Sequence, residues 1–155
     1  MIRGLRIREM TGEDLGTVQL IASALRDAPH WPRSAYEIAL DPLARPQRIA
    51  LVAVDDRERV AGFAIASLVT GAEAELESIA VEEPDQRRGV ARALFQQLAD
   101  RLRQRGVAVV FLEVRESNEG AREFYRALGF LPAGRRPGYY ADPAEDAMVL
   151  RLTLS

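Results

Sequence analysis

The sequence predicts one mixed α/β domain, and three observations carry that prediction. Strand-like and helix-like segments follow one another in the order strand, helix, helix, strand, strand, strand, helix, strand, helix, strand, strand, the alternation of a mixed α/β architecture. The 155 residues suit a single domain over 1–155, large enough to bury a core without metal or disulfide help. No internal repeat, low-complexity tract or linker divides them.

Residues 2–8 alternate apolar and charged side chains (Ile2, Arg3, Leu5, Arg6, Ile7, Arg8), which suits a half-exposed strand. Thr11, with Asp14 following, is an N-cap with an acid in the first turn. Leu15, Val18, Ile21, Ala22 and Leu25 then recur at helical spacing. Pro29 and Pro32 interrupt the pattern around His30 and Trp31, and Ser34 caps a second short helix through Leu40. The apolar run 49–54 reads as a buried strand, 55–58 as a polar turn and 60–69 as the returning strand of a hairpin. Gly71 punctuates, and 75–81 forms a further strand that Pro84 ends.

Over 89–105 the apolar residues Val90, Ala91, Leu94, Phe95, Leu98 and Leu102 make one stripe of an amphipathic helix, which Gly106 ends. The strand 107–114 starts almost continuously apolar, as near a sheet centre. Asn118 caps a helix running to Leu128, and Gly129 closes it as a left-handed C-cap. The final strands are 130–132 and 147–154, with a polar loop between them.

Composition excludes several chemistries. There is no cysteine, so thiolate catalysis, disulfides and cysteine-ligated zinc are ruled out. His30 is the sole histidine, so a multi-imidazole metal site is ruled out too, and nothing around it suggests a Ser-His-Asp triad. A formal net charge of −2 provides no basic field for nucleic acid. No apolar run approaches the roughly 20 residues of a membrane helix. Residues 1–6 carry no long apolar stretch after their charges and do not read as a signal peptide. The expectation is a cytoplasmic protein that uses no metal.

Four features could carry chemistry. The run Gln86-Arg87-Arg88-Gly89-Val90-Ala91 joins a strand to a helix that opens on glycine. Its exposed backbone N–H groups and helix dipole suit an anion such as a pyrophosphate, and they equally suit a solvated helix start with two surface arginines. The run lacks the lysine and Ser/Thr of a Walker loop and the extra glycines of a dinucleotide fingerprint. Glu113, in Leu112-Glu113-Val114, ends an otherwise apolar strand. It is either a proton acceptor in a cleft or a strand-end carboxylate in solvent. Tyr125 shares a helix face with Ala121 and Leu128. It is a core residue with a satisfied hydroxyl or a proton donor. Tyr139 and Tyr140 are adjacent in a polar stretch, so both cannot be core; they mark recognition or a loose loop.

Together these features resemble the GNAT superfamily of acyl-CoA-dependent N-acetyltransferases, over nearly the whole chain and most sharply over 75–152. The sharpest residues are Ile79-Ala80-Val81, then 86–91, then Asn118 and Tyr125 ahead of Leu128-Gly129-Phe130. Within that superfamily the pattern is most similar to protein N-terminal acetyltransferases of the bacterial ribosomal-protein-alanine type. Leu112-Glu113-Val114-Arg115, Ser117-Asn118, Phe124-Tyr125 and Tyr139-Tyr140 followed by Glu145-Asp146-Ala147 carry that similarity. Trp31-Pro32 is similar too, with the proline and tryptophan in reversed order.

The resemblance implies a single GNAT-like α/β (α+β) domain whose central sheet is mixed, mostly antiparallel and splayed, with about four helices. It implies acetyl-CoA as cosubstrate, its pantetheine arm on the backbone of Ile79, Ala80 and Val81. The pyrophosphate falls on Arg87, Arg88, Gly89, Val90 and Ala91, in the run that Gln86 opens, with Asn118 further along the cofactor. Glu113 is implied as general base through water, Glu77 as a second candidate, and Tyr125 as the acid that protonates the departing thiolate. Tyr139, Tyr140 and Trp31 are implied at the acceptor, a protein N-terminus of the ribosomal-protein class. With no cysteine, an acetyl-cysteine intermediate is impossible and attack is direct. A monomer or weak dimer is expected, with no nucleic-acid or membrane partner. Two other readings keep the fold: acetylation of a small-molecule amine, and a non-catalytic acyl-CoA-binding module.

Overall fold

The computed structural model describes residues 4–25, 29–82, 85, 86 and 89–154. The expectations placed on Ile2, Arg3, Pro84, Arg87 and Arg88 lie outside the described residues. The elements are β1 (Arg6–Glu9), a 3-10 turn (Gly12–Asp14), α1 (Leu15–Ala24), α2 (Arg33–Leu40), β2 (Arg48–Val54), β3 (Val60–Leu68) and β4 (Glu73–Val81). They continue with α3 (Val90–Gln104), β5 (Val109–Arg115), α4 (Glu119–Leu128), β6 (Leu131–Ala141) and β7 (Ala144–Thr153). The order is the one the sequence predicts. The strands form one seven-stranded sheet, β1-β2-β3-β4-β5-β7-β6. Every neighbouring pair is antiparallel except β4 with β5.

Each face of the sheet is covered by helices. On one face α3 buries Val90, Leu94, Phe95, Leu98 and Leu102 against Leu51, Ala53, Ala64, Leu112 and Leu150. Leu94 and Leu98 are fully buried, and each contributes about 1.5–3 kcal/mol through its apolar area. On the other face Leu15, Val18 and Ile21 of α1 and Tyr36 of α2 pack on Val52, Val54, Phe63, Ile65 and Ala80. The helical spacings in the sequence thus mark the buried stripes of α1 and α3.

Several boundaries differ from expectation. Thr11 caps the 3-10 turn rather than α1: its N–H donates to Asp14 Oδ2 at 2.8 Å, and the same carboxylate receives both Nη atoms of Arg8 at 2.8 and 2.9 Å. Asp14 is tied both ways, so the first turn tightens before α1 begins. α2 starts at Arg33 with extended Pro32 as its N-cap, leaving Ser34 inside the first turn. β5 begins at Val109 because the Val107 N–H closes α3 onto Leu102 O at 3.0 Å. Asn118 and Gly129 hold their expected places: Asn118 Oδ1 accepts from Ala121 N at 3.1 Å, and Gly129 has φ 105°.

The largest correction concerns the stretch after α4. The expected polar loop between two short strands is instead a long ribbon, with β6 and β7 joined by a tight turn. Tyr139 and Tyr140 are strand residues. β6 is the sheet edge, and all but one of its residues are exposed. It therefore has no apolar alternation to announce it, and Pro132 and Pro137 are tolerated there.

Candidate active site

β4 determines the shape of the site. Its register with β3 slips by one residue, Ile65 facing Ser78 and Ala66 facing Leu76, so that Glu77 is the extra residue of a bulge. A bulge bends the strand and raises its twist. It also shifts the side-chain phase: Ala74 and Leu76 face α3 before it, and Ile79 and Val81 face that side after it. β4 pairs with β5 only through Glu73↔Val109, Ala74↔Val110 and Glu75↔Phe111. Beyond those pairs, 76–81 of β4 and 112–115 of β5 have no ladder between them, and a splayed cleft opens.

The cleft edge of β4 is backbone. Glu82 N–H donates to Ala61 O on β3 at 2.8 Å, and a Cβ placed on Gly62 would stand 2.9 Å from the Ala80 oxygen. By the two-residue period of a strand, Ala80 turns its backbone groups to β3 while Ile79 and Val81 turn theirs to the cleft. Val81 O already accepts from Gln86 Nε2 at 2.9 Å. Gln86 therefore pins the end of the strand. The loop after β4 is anchored from the β2–β3 turn. Arg59 reaches Asp85 Oδ2 at 2.9 Å and Asp55 Oδ2 at 3.0 Å, and also pairs with Glu82. Past the loop, Gly89 is the N-cap of α3 with φ 83°, and its carbonyl accepts from Ala93 N at 3.0 Å. The N–H groups of Val90 and Ala91 come before that first helical bond and have no partner within the helix.

Carboxylates gather on the α1/α2 face of the sheet. Glu75, Glu77 and Glu113 interact there, with Arg48 and Arg136 as counter-charges. Arg48 holds Glu77 through both oxygens, Nε to Oε1 at 2.6 Å and Nη2 to Oε2 at 3.3 Å, and its guanidinium lies 6.0 Å from the Trp31 ring centroid. Glu113 is held more loosely: Oε1 is 3.6 Å from Arg136 Nε, and Oε2 is buried with no hydrogen bond. Burial pushes the Glu75 carboxyl above the usual range, and the charges of Glu113 and Glu77 add to the effect. The Tyr139 phenol is pushed up to about 12, first by hydrogen bonding to the Glu113 carboxylate and then by burial. Tyr139 and Tyr140 meet edge to face with centroids 5.1 Å apart.

Tyr125 is reached from the other side of the sheet. Its ring packs edge-on against Phe124 and Phe130, at 5.2 and 5.5 Å. Burial, with a smaller effect from Tyr140, raises its pKa, so the hydroxyl keeps its proton at neutral pH. The expected residues therefore fall into two groups. Glu113, Tyr139, Tyr140 and Trp31 stand on or beside the carboxylate face, while Ile79, Val81, Gly89, Val90, Ala91 and Asn118 follow the cleft edge and the two helix starts. Sequence reasoning missed Glu75, Arg48, Arg59, Gly62 and Arg136. One signal was available, the break in apolar phase between Leu76 and Ile79 that a bulge produces.

The chain as a whole has known counterparts. The family description "Acetyltransferase (GNAT) family" matches residues 17–130. The [ribosomal protein bS18]-alanine N-acetyltransferase of Escherichia coli K12 is 46% identical over 99 residues, 63% of this chain and 66% of that protein. That match spans just under two thirds of the relative's length. Among solved structures, the ribosomal-protein-S18-alanine N-acetyltransferase from Escherichia coli is similar with a TM-score of 0.83 and 33% identity, over 97% of this chain and 94% of that one. Ard1 from Thermoplasma volcanium is similar with a TM-score of 0.85 and 26% identity, over 98% and 99% of the two chains.

Proposed function

The chain belongs to the GNAT acetyltransferase family, and on that premise we propose that it uses acetyl-CoA to acetylate the α-amino group of a protein N-terminus, with an alanine-starting ribosomal protein as acceptor. The observation that carries this reading is the Glu113 carboxylate. Its Oε2 is buried, has no hydrogen bond and belongs to the part of β5 that has no ladder with β4, beside the open cleft. A buried acceptor atom without a donor is costly unless a ligand or water supplies one, and an amine supplies it. That the relative is an alanine N-acetyltransferase of ribosomal protein bS18 supports the choice of acceptor.

The cleft fits the cosubstrate. The edge at Ile79 and Val81 that β5 leaves without a ladder offers N–H groups and the Ile79 carbonyl to an amide-bearing arm, as an edge strand does to a peptide. The N–H groups at the start of α3 suit a pyrophosphate. When bound, acetyl-CoA supplies an activated acetyl carbon and a thiolate leaving group. Glu113 takes a proton from the acceptor ammonium, through a water. The reference pKa of an α-amine, about 7.7–8.0, makes that a modest task. The amine lone pair then forms the N–C bond as the C–S bond breaks, Tyr125 gives its proton to the sulfur, and the surplus proton on the new amide nitrogen leaves through water and restores the Tyr125 phenol. Glu113 suits the base role better than Glu77, whose two oxygens Arg48 occupies. Arg136 and Tyr139 border the same carboxylate and shape the acceptor's approach.

The test is a peptide-library acetylation with acetyl-CoA, read by mass. A peptide with free N-terminal alanine gains one acetyl group, and the same peptide blocked at its N-terminus gains none. Transfer to the blocked peptide, or to small amines in preference to peptides, overturns the reading.

A further inference from the structure

Arg115, at the end of β5, reaches across to the tip of the β6–β7 ribbon. Arg115 stands two residues beyond Glu113 on the same face of β5. Its guanidinium lies 4.3 Å from the Tyr140 ring centroid. Its Nη1 donates to Pro143 O at 3.0 Å and pairs with Glu145 Oε1 at 3.3 Å, and its Nη2 reaches Asp142 O at 3.4 Å. Glu145 completes the fastening by accepting the Ser117 N–H on Oε2 at 2.6 Å, where β5 passes to α4. Arg115 and Glu145 are both half-buried, with side chains 18% exposed. The pair is therefore screened less than a fully exposed one.

The consequence is a division between two adjacent tyrosines. The Tyr140 ring is backed by a guanidinium that is itself bonded to the turn and to Glu145. Tyr139, 49% exposed, meets Glu113 and the Tyr140 edge, and its cation is the looser Arg136, with the guanidinium carbon 5.6 Å from its ring centroid. Fixing a contact surface before a ligand arrives lowers the ordering cost of binding. Arg135 on Glu116 at 2.7 Å and the Glu116 N–H on Asp146 O at 3.2 Å also tie the ribbon down, and Arg115 reaches the turn itself. We propose that Arg115 is a positioning residue for the acceptor: it holds Tyr140 and the ribbon tip in the arrangement that receives the incoming chain, without touching the reacting atoms. This rests on the acetyl-transfer reading above, in which the two tyrosines border the acceptor.

The planar fork explains why arginine rather than lysine suits the position. It stacks on a ring while serving two carbonyls and a carboxylate at once, and an ammonium cannot do all of these. The experiment compares Arg115→Lys, Arg115→Met and Glu145→Gln with the parent. Acetyl transfer to an alanine-starting peptide is measured at varied peptide and varied acetyl-CoA, alongside backbone hydrogen exchange over 138–146 and at Ser117. In Arg115→Met the expected result is a rise of about tenfold in peptide KM, equivalent to roughly 1.4 kcal/mol. The change in acetyl-CoA KM is much smaller, and exchange over the ribbon tip is faster. Glu145→Gln follows in the same direction, and Arg115→Lys fails to restore the peptide KM. An unchanged peptide KM in a folded Arg115→Met overturns the proposal. So does an equal rise in both KM values, which marks general damage. If the parent acetylates no amine, the acetyl-transfer reading falls on that result alone. The exchange measurement then decides on the fastening, and unaltered exchange in Arg115→Met overturns it.

Discussion

A Cβ added to Gly62 would lie 2.9 Å from the Ala80 carbonyl oxygen, 3.2 Å from Val81 Cγ2 and 3.3 Å from Leu94 Cδ1. The first of these is backbone and cannot rotate away. Gly62→Ala therefore pushes the end of β4 toward the cleft. Such overpacking costs about 1–3 kcal/mol. The expected result is a lower unfolding midpoint together with a raised acetyl-CoA KM. A variant that loses stability but keeps its cofactor KM would show that the strand end does not position the donor.

Glu113→Gln keeps the shape of the side chain and removes its ability to take a proton. A positioned general base contributes about 10²–10⁴-fold, so kcat falls by at least about 100-fold while the thermal midpoint stays near the parent's. Glu77→Gln loses instead its paired contact with Arg48. It costs stability and lowers kcat far less. The comparison of the two kcat values at saturating acetyl-CoA identifies the base.

Tyr125→Phe leaves the ring contacts with Phe124 and Phe130 in place. Transfer from acetyl-CoA slows by about 100-fold. An acyl donor with a more acidic thiol, which leaves without a proton, restores much of the rate. Equal slowing with both donors would remove the acid role.

Asn118 caps α4, and substitution can separate that role from the cofactor contact proposed for it. Asn118→Ala removes the cap on Ala121 N, at about 1 kcal/mol. Asn118→Ser keeps a capping oxygen but loses the side-chain amide. The expected outcome is near-parental stability in the serine variant with a raised acetyl-CoA KM. Equal cofactor KM values in the serine variant and the parent would reduce Asn118 to a cap.

Glu75 gives a pH test of stability. Its carboxyl is raised, first by burial. A raised folded pKa means a stability contribution that is full below the unfolded carboxyl range, near ~4.3. The contribution is lost as the pH climbs through the folded value. Glu75→Gln cannot ionise and avoids that loss. Urea unfolding should show the variant more stable than the parent at pH 8, with the gap narrowing toward pH 5. A gap that widens as the pH falls would contradict the sign.

Much of this molecule could be read before its structure was seen, for a physical reason. α3 and α4 carry their own start and stop signals in Gly89, Gly106, Asn118 and Gly129, and α3 shows its stripe in Val90, Leu94, Leu98 and Leu102. The β2–β3 hairpin is announced by apolar runs on either side of a polar turn. The ribbon was hidden because an exposed edge strand needs no apolar alternation, and Arg135, Arg136, Pro137 and Gly138 have the composition of a loop. The counter-charges were hidden for a different reason. Arg48, 29 residues from Glu77, and Arg136, on a different strand from Glu113, meet their carboxylates only when the sheet forms.

Three residue pairs, Glu73 to Glu75 with Val109 to Phe111, are the whole ladder between two half-sheets, β1-β2-β3-β4 on one side and β5-β7-β6 on the other. Mechanically the sheet is a pair of plates meeting at a short seam. The pairing that the seam lacks can come only from something lying between the plates. A ligand that hydrogen-bonds to the β4 edge therefore acts as an eighth strand, and its arrival stiffens both plates at once. Slower hydrogen exchange along β5 as well as β4 on addition of acetyl-CoA is the expected mark of that stiffening.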